Sequence, residues 1–303
     1  SLLSTKSKAV FLGHQILHLD DGDNIKFVAM HIAQATEATL GLFPGDANSV
    51  GLNELNLNSN NISTDKILSQ KKEAYIMMNF DPFYDYRSPK KINDALKNAK
   101  FNLAISPYIS DSFKEFDVVL PMTPFTETSG TFMNMEKRIQ SFSAVTPPFG
   151  QARPGWKILR VLANFLQLEG FLYDSSEDVK ADVMIELDKK NEYILNDFKP
   201  SKITKGLEIL NLIKANDSDM IVRRASSLHK NKKNQNCCLI NPSTMLKEGL
   251  IDGQKIRISS SEAEVLINVK ADENVCSNVI AIFGKQDETF SLGMHNKVKI
   301  KKA

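Results

Sequence analysis

The sequence predicts an α/β fold, a mainly parallel sheet covered by helices, followed by a small, mostly β barrel-like domain. Three observations carry that expectation. Short, continuously apolar runs (Ala9-Val-Phe-Leu12, Tyr75-Ile-Met-Met78, Leu103-Ala-Ile105 and Val118-Val-Leu120) alternate with amphipathic helical stretches in the first half, the pattern of strands buried on both faces. From Met220 onward the apolar period changes from helical to two. Between these halves the pattern decays into acidic and lysine-rich stretches. The expected division is an α/β domain over residues 1–170, a connector with weak helices over 171–218 and a barrel-like domain over 219–303.

Taken in order, Ala9–Leu12 reads as a buried strand. Asp21 or Asp23 then caps a helix whose apolar residues Ile25, Val28, Ala29, Ile32 and Ala33 follow the 3.6-residue period. Gly41 to Asn61 has no period and reads as loop. After the Tyr75–Met78 strand, Ser88 and Pro89 supply the cap and first position of a helix with Ile92, Ala95, Leu96 and Ala99 on one face. Pro107 and Pro121 stop the next two strands. Pro154 and Trp156 open a helix with Ile158, Leu159, Leu162, Phe165 and Leu166 as its buried stripe, and weaker helical pieces follow at Val179–Leu187 and Ile203–Ile213. In the last part Asp252-Gly253 makes a tight turn. Ile256 and Ile258, then Val265, Ile267 and Val269, alternate with polar residues, and Asn241-Pro242 starts one short helix. Val279–Phe283 is a buried strand, and Lys297–Ile300 reads as a closing edge strand guarded by lysines.

Composition excludes several classes. At 303 residues, 42% apolar and 24% charged, the chain has the make-up of an ordinary globular protein. No run reaches the ~18 to 20 apolar residues of a membrane-crossing helix, so no direct membrane span is expected. A net charge of +2 without a basic stripe makes nucleic acid an unexpected partner. The chain opens Ser-Leu-Leu, without methionine or the layout of a signal peptide, which suggests a fragment or processed chain. Cys237, Cys238 and Cys276 contain no C-x-x-C pair, so small hydrophobes in a reducing compartment are expected rather than a disulfide, zinc or cluster site.

Catalytic pairings are absent from the sequence pattern. His14 and His18 lie four apart in a loop without a paired acid, and His31, His229 and His295 neighbour no candidate nucleophile. Gly41-Leu-Phe-Pro-Gly45 lacks the spacing of a phosphate loop. The informative segment runs from Asp117 to Trp156. Its strand ends at Pro121 and leads into Thr126-Glu-Thr-Ser-Gly-Thr-Phe-Met-Asn134, beyond the carboxyl end of a parallel strand where open α/β sheets bind ligands. Hydroxyl and amide side chains there equally satisfy loop backbone groups; chemistry leaves the two readings even.

This segment resembles the molybdopterin oxidoreductase superfamily signature, "D-V-V-L-P…E…G-T-x-x-N-x-E-x-R-x-Q" followed by "P-P-G-x-A-x-x-D-W-x-I-L". Met78-Asn-Phe-Asp-Pro82 with Phe101-Asn-Leu-Ala-Ile is similar to the family's "N-P…AL…F-x-V" unit. Asn241-Pro, Gly249–Gly253 and Leu292-Gly resemble its terminal β-barrel domain. Ala47-Asn-Ser-Val-Gly51 and Asp219-Met-Ile-Val-Arg-Arg-Ala-Ser-Ser-Leu228 look like the branch formed by the large iron–sulfur subunit of respiratory NADH:quinone oxidoreductase (complex I). The resemblance spans nearly the whole chain except the connector. It implies a non-catalytic structural module of the peripheral arm, with other peripheral-arm subunits as partners. NADH:quinone oxidoreductase activity would belong to the assembly, at the cytoplasmic face of a bacterial inner membrane or the matrix side of an organelle.

The same resemblance implies no cofactor in this chain, iron–sulfur clusters in an N-terminal region that it lacks, and no molybdenum. Asn79, Thr131, Asn134 and Arg138 match positions that face a pterin dinucleotide in active relatives and are expected to be vestigial; no catalytic and no metal-binding residues are expected. The sequence departs from the shared pattern at Lys137, where glycine or arginine is usual, and at Gly155, where aspartate precedes the tryptophan. Lys137 is expected to fill or alter the old pocket. The rival implication is the C-terminal part of a molybdenum or tungsten bis-pterin oxidoreductase such as a formate dehydrogenase.

Overall fold

The computed structural model describes residues 7–14, 16, 19, 21–55, 64–187, 198, 207–230, 237–294 and 297–303. β1 (Ala9–Leu12) pairs in parallel with β2 (Thr39–Leu42), the chain crossing between them through α1 (Gly22–Thr36). Only part of the expected apolar stripe of α1 is covered: Ala29 and Ala33 are buried, whereas Val28 and Ile32 stay over two-fifths exposed. Phe11 is 60% exposed, so β1 is not the buried strand its composition implies. The end of β2 and the helix α2 (Ser49–Glu54) fall inside the stretch read as loop; six residues are too few to display a helical period. Residues 56–61 of that stretch lie outside the described set.

The parallel strands do not form one sheet. A separate three-stranded parallel sheet is built from β3 (Ala74–Met78), β4 (Phe101–Ser106) and β5 (Val118–Pro121), flanked by α3 (Thr64–Ser69) and α4 (Pro89–Asn98). The register Tyr75↔Asn102 and Ile76↔Leu103 sorts its two faces. Tyr75 and Met77 pack with Leu68 of α3 and Ile92 and Leu96 of α4. On the other face Leu103, Ile105 and Met122 meet Ile158 and Leu162 of α5 (Gly155–Phe165). Ser88 caps α4, its Oγ accepting from the Lys91 N–H at 3.3 Å, with Pro89 in the first turn. The stripe expected on α5 is shorter than its apolar residues suggest, because Phe165 and Leu166 are 81% and 59% exposed. β6 (Gly130–Met133) and β7 (Ile139–Phe142) form an antiparallel hairpin, and α6 (Ser176–Leu187) follows α5.

The rest is a closed six-stranded barrel. Its members are β8 (Leu207–Leu212), β9 (Cys237–Ile240), β10 (Lys255–Ser259), β11 (Glu264–Ala271), β12 (Val279–Phe283) and β13 (Lys297–Lys302). They are joined in the order β10-β11-β9-β12-β8-β13, with β13 pairing back onto β10. Ile240, Ile256, Ile258, Ile280, Ile282 and Val269 fill its core. Three expectations change here. The helix read over Ile203–Ile213 is strand at Leu207–Leu212: Leu207 and Ile209 point into the core and Glu208 outward, and the leucines of this run mimic a helical spacing. Met220–Arg224, taken into the strand region, is a helix, α7, because Asp219 caps it by accepting from the N–H groups of Ile221 and Val222 at 2.8 and 3.1 Å. β13 is no edge strand, since it bonds to neighbours on both sides. The short helix α8 (Ser226–His229) follows α7, and α9 (Pro242–Glu248) starts at Asn241 as expected, its Oδ1 accepting from Ser243 N at 2.9 Å. Of the cysteines, Cys238 is buried, Cys237 half-buried and Cys276 exposed; all are free thiols.

Candidate functional site

β5 ends at Pro121, and Met122 makes a parallel bridge to Arg153. The chain between them holds the motif loop and the β6–β7 hairpin. Glu127 secures the base of this excursion, its Oε2 accepting from the Phe149 N–H at 2.9 Å, while Val145 N–H donates to the Thr126 carbonyl at 2.8 Å. Gly130 is required where the hairpin starts: a Cβ there would stand 2.4 Å from Cζ of Phe142, its cross-strand partner.

The hairpin turn is built by Asn134. Its Oδ1 accepts from the N–H groups of Glu136 and Arg138 at 3.0 and 2.9 Å, an Asx-type turn. Lys137 sits at φ 60°, the left-handed region that glycine enters without steric cost. That conformation accounts for glycine at the matching position of the shared pattern. The Lys137 ammonium does not fill the pocket; it reaches Glu54 of α2 at 3.0 Å. The Asn-Ser-Val-Gly segment completes the same join. Asn48 Oδ1 accepts from Met133 N at 2.9 Å, and Gly51 lies so close that a Cβ would stand 2.5 Å from that oxygen.

Behind the hairpin lies a half-open cavity of about 390 Å³. Thr131, Phe132 and Ser141 of the hairpin, Leu55, Trp156 and the α6 residues Lys180 and Met184 are among its walls. Its polar groups form a short chain, with Thr131 Oγ1 3.0 Å from Ser141 Oγ and Lys180 Nζ donating to Ser141 Oγ at 2.8 Å. Of the four predicted residues the hairpin thus unites three, Thr131, Asn134 and Arg138; of these Thr131 alone lines the cavity, and Arg138 is exposed. Asn79 is separate. It terminates β3 in a left-handed conformation (φ 51°), is exposed, and its N–H donates to the Ile105 carbonyl at 2.8 Å. Gly155, the other departure, opens α5 where a Cβ would meet Met78 Cε at 2.4 Å and Met122 Sδ at 2.9 Å. Sequence reasoning missed Asn48, Glu54, Ser141 and Lys180. The Asn48 segment carries a family likeness but no assigned role; Lys180 lies in the weak helical piece Val179–Leu187, where nothing sets it apart from other lysines.

Elsewhere, His14 packs on Gly45, where a Cβ would come within 1.9 Å of its ring. The imidazoles of His31 and His229 bond to the carbonyls of Phe27 and Val222 at 2.8 and 3.0 Å; His18 and His295 are outside the described residues. Among the described residues no three His, Cys, Asp or Glu side chains are grouped to hold a metal ion. Also among them, no helix is long and apolar enough to cross a membrane.

An α/β unit with a loop beyond its parallel strands, joined to a closed barrel, defines the class of two-part scaffold to which comparison gives a family. The chain belongs to the molybdopterin oxidoreductase family: the family's "Molybdopterin oxidoreductase" pattern matches residues 1–165, and that of the "Molydopterin dinucleotide binding domain" matches residues 215–298. It is 24% identical over 217 residues to the NADH-ubiquinone oxidoreductase 75 kDa subunit of Reclinomonas americana, covering 66% of this chain and 30% of that one. A putative formate dehydrogenase of Bacillus subtilis (strain 168) is 37% identical over 75 residues, 25% of this chain and 8% of the relative. Acetylene hydratase from Pelobacter acetylenicus shares the fold, with a TM-score of 0.53 at 13% identity over 79% of this chain and 44% of that chain. The chain therefore matches less than half the length of each of these relatives.

Proposed function

We propose that this chain is a structural module of the peripheral arm of an NADH:quinone oxidoreductase, with electrons carried by clusters held outside it. The observation that carries the reading is the state of the motif loop. At two of the positions matched to pterin contacts the side chain is engaged in the hairpin itself: the Asn134 carboxamide oxygen accepts two N–H groups of the turn, and the Thr131 hydroxyl pairs with Ser141. In this reading those contacts serve the fold, and Asn79, Thr131, Asn134 and Arg138 are vestigial as ligand positions. Apolar side chains point the same way: Phe149, Phe165 and Leu172 are each over four-fifths exposed, as suits surfaces covered in an assembly. Other peripheral-arm subunits are the partners, on the face of the membrane where NADH is oxidised. Tagged chain expressed in its native cells should copurify with flavin- and cluster-bearing polypeptides; a chain that never associates with them overturns the reading.

The formate dehydrogenase likeness favours a second reading, part of a molybdenum or tungsten oxidoreductase. Elemental analysis of the native complex separates the two: iron without molybdenum or tungsten supports the first, and stoichiometric molybdenum or tungsten the second.

A further inference from the structure

Among the described residues, the hydrophobic core of the barrel and those of the three-stranded sheet share no member. What joins the two units is largely polar. The loop after β3 carries Asp81, fully buried, and Asp85. Arg224 of α7 places Nη2 3.1 Å from Asp81 Oδ2; Arg223 places Nη2 3.0 Å from Asp85 Oδ1 and 3.9 Å from Asp81 Oδ2. The Asp81 N–H donates to Asp85 Oδ2 at 2.9 Å, which sets the two carboxylates side by side. Each guanidinium also lies over a ring of the α/β unit, Arg223 over Tyr84 at 4.8 Å and Arg224 over Tyr108 at 5.2 Å. Around this centre Tyr84 donates to Asp287 at 2.6 Å, and Phe83 stacks on Phe290 at 4.8 Å.

We propose that the Arg223-Arg224 pair is a charge latch that holds the barrel on the α/β unit, and that the barrel is otherwise self-contained. A buried carboxylate is tolerated only when paired, and the cations that meet Asp81 lie 142 and 143 positions further along the chain. The latch is preset on its own side. Asp219 caps α7, Arg223 Nη1 donates to the Asp217 carbonyl at 3.3 Å, and Arg224 Nη1 donates to the Met220 carbonyl at 3.1 Å. A closed barrel has no open edge, so undocking does not unravel it. The device gives the Arg-Arg of the Asp219–Leu228 segment a role in fixing the register of the two units, whatever either unit binds.

The test compares the chain with its Arg223→Ala/Arg224→Ala and Arg224→Lys variants by hydrogen–deuterium exchange, alongside iodoacetamide labelling of Cys238, which is buried in the barrel core. The double alanine variant should exchange the amides of residues 80–87 and 285–294 at least about tenfold faster, with Cys238 still protected. Arg224→Lys, which keeps the charge but not the fork, should fall between. Unchanged exchange at 80–87 overturns the proposal. So does labelling of Cys238 in the double variant, since the barrel would then unfold with its latch.

Discussion

Replacing Asn134 by alanine removes the one oxygen that receives two backbone N–H groups across the hairpin turn, at 3.0 and 2.9 Å. A hydrogen bond contributes about 0.5 to 1.5 kcal/mol net. Asn134 is half-buried, so water replaces part of the loss, and the expected cost is about 1 to 2 kcal/mol. With a urea slope of about 3 kcal/mol/M, that moves the midpoint by roughly 0.3 to 0.7 M. Trp156 is the sole tryptophan of the chain and lines the cavity beside the hairpin, so its fluorescence reports on this region without labelling. Asn134→Asp keeps the accepting oxygen and should restore the midpoint to within about 0.2 M. Equal losses in Asn134→Ala and Asn134→Asp would show that the amide nitrogen, not the oxygen, does the work, and would refute the turn assignment.

Two further outcomes follow from single side chains. Thr123 is buried with a hydroxyl that meets no partner among the described residues. Thr123→Val should therefore be neutral or stabilise by up to about 1 kcal/mol in urea denaturation; a clear loss of stability would mean that the hydroxyl is satisfied. Asp65 has its carboxyl held below the usual range, first by the hydrogen bond from Lys91 at 2.6 Å and then by that from Tyr86. A depressed folded-state value contributes stability above the unfolded value of about 3.9 and loses it as pH falls through the folded value. Asp65→Asn should thus cost under about 1 kcal/mol at pH 7, because the Asp65 side chain is more than half exposed, and that difference should begin to shrink below about pH 4 and vanish only below the depressed folded value. A penalty that persists unchanged into acid contradicts the assignment.

The helix α4 was legible because all its signals are local: a serine cap, a proline in the first turn, and an apolar stripe, Ile92, Ala95, Leu96 and Ala99, whose last member is the C-cap. The hairpin of β10 and β11 was legible for the same reason, its alternation repeating across a short turn. β8 was not. Leu207-Glu-Ile-Leu-Asn-Leu212 fits either period, and only barrel closure, with pairing to β12 and β13, selects the strand. Burial was overestimated at Phe11, Phe165 and Leu166, since apolar character records what a residue tolerates and not what lies opposite it. The division of the parallel strands into two sheets is likewise a matter of long-range pairing, which leaves no mark on any one run.

The site poses a sharper problem, because the motif residues, Asn134 of the predicted ligand positions among them, also fold the hairpin. Asn134 closes the turn, Gly130 admits the Phe142 ring, and Asn48 ties β6 to α2. Such residues keep their places with or without a ligand. The side chains that discriminate are those that face the cavity and fold nothing, and Lys180 is the best of them: its ammonium crosses from α6 to Ser141 Oγ at 2.8 Å. In the structural reading Lys180→Ala loses one partly solvated hydrogen bond, a change within about 0.5 kcal/mol by Trp156 fluorescence, and leaves copurification and metal content as they were. If an anionic group occupied the cavity, the same substitution would take away the cation beside it. Loss of molybdenum or of a bound chromophore at unchanged stability would then refute the structural reading, because a fold-neutral cation has no other means of affecting what the native complex carries.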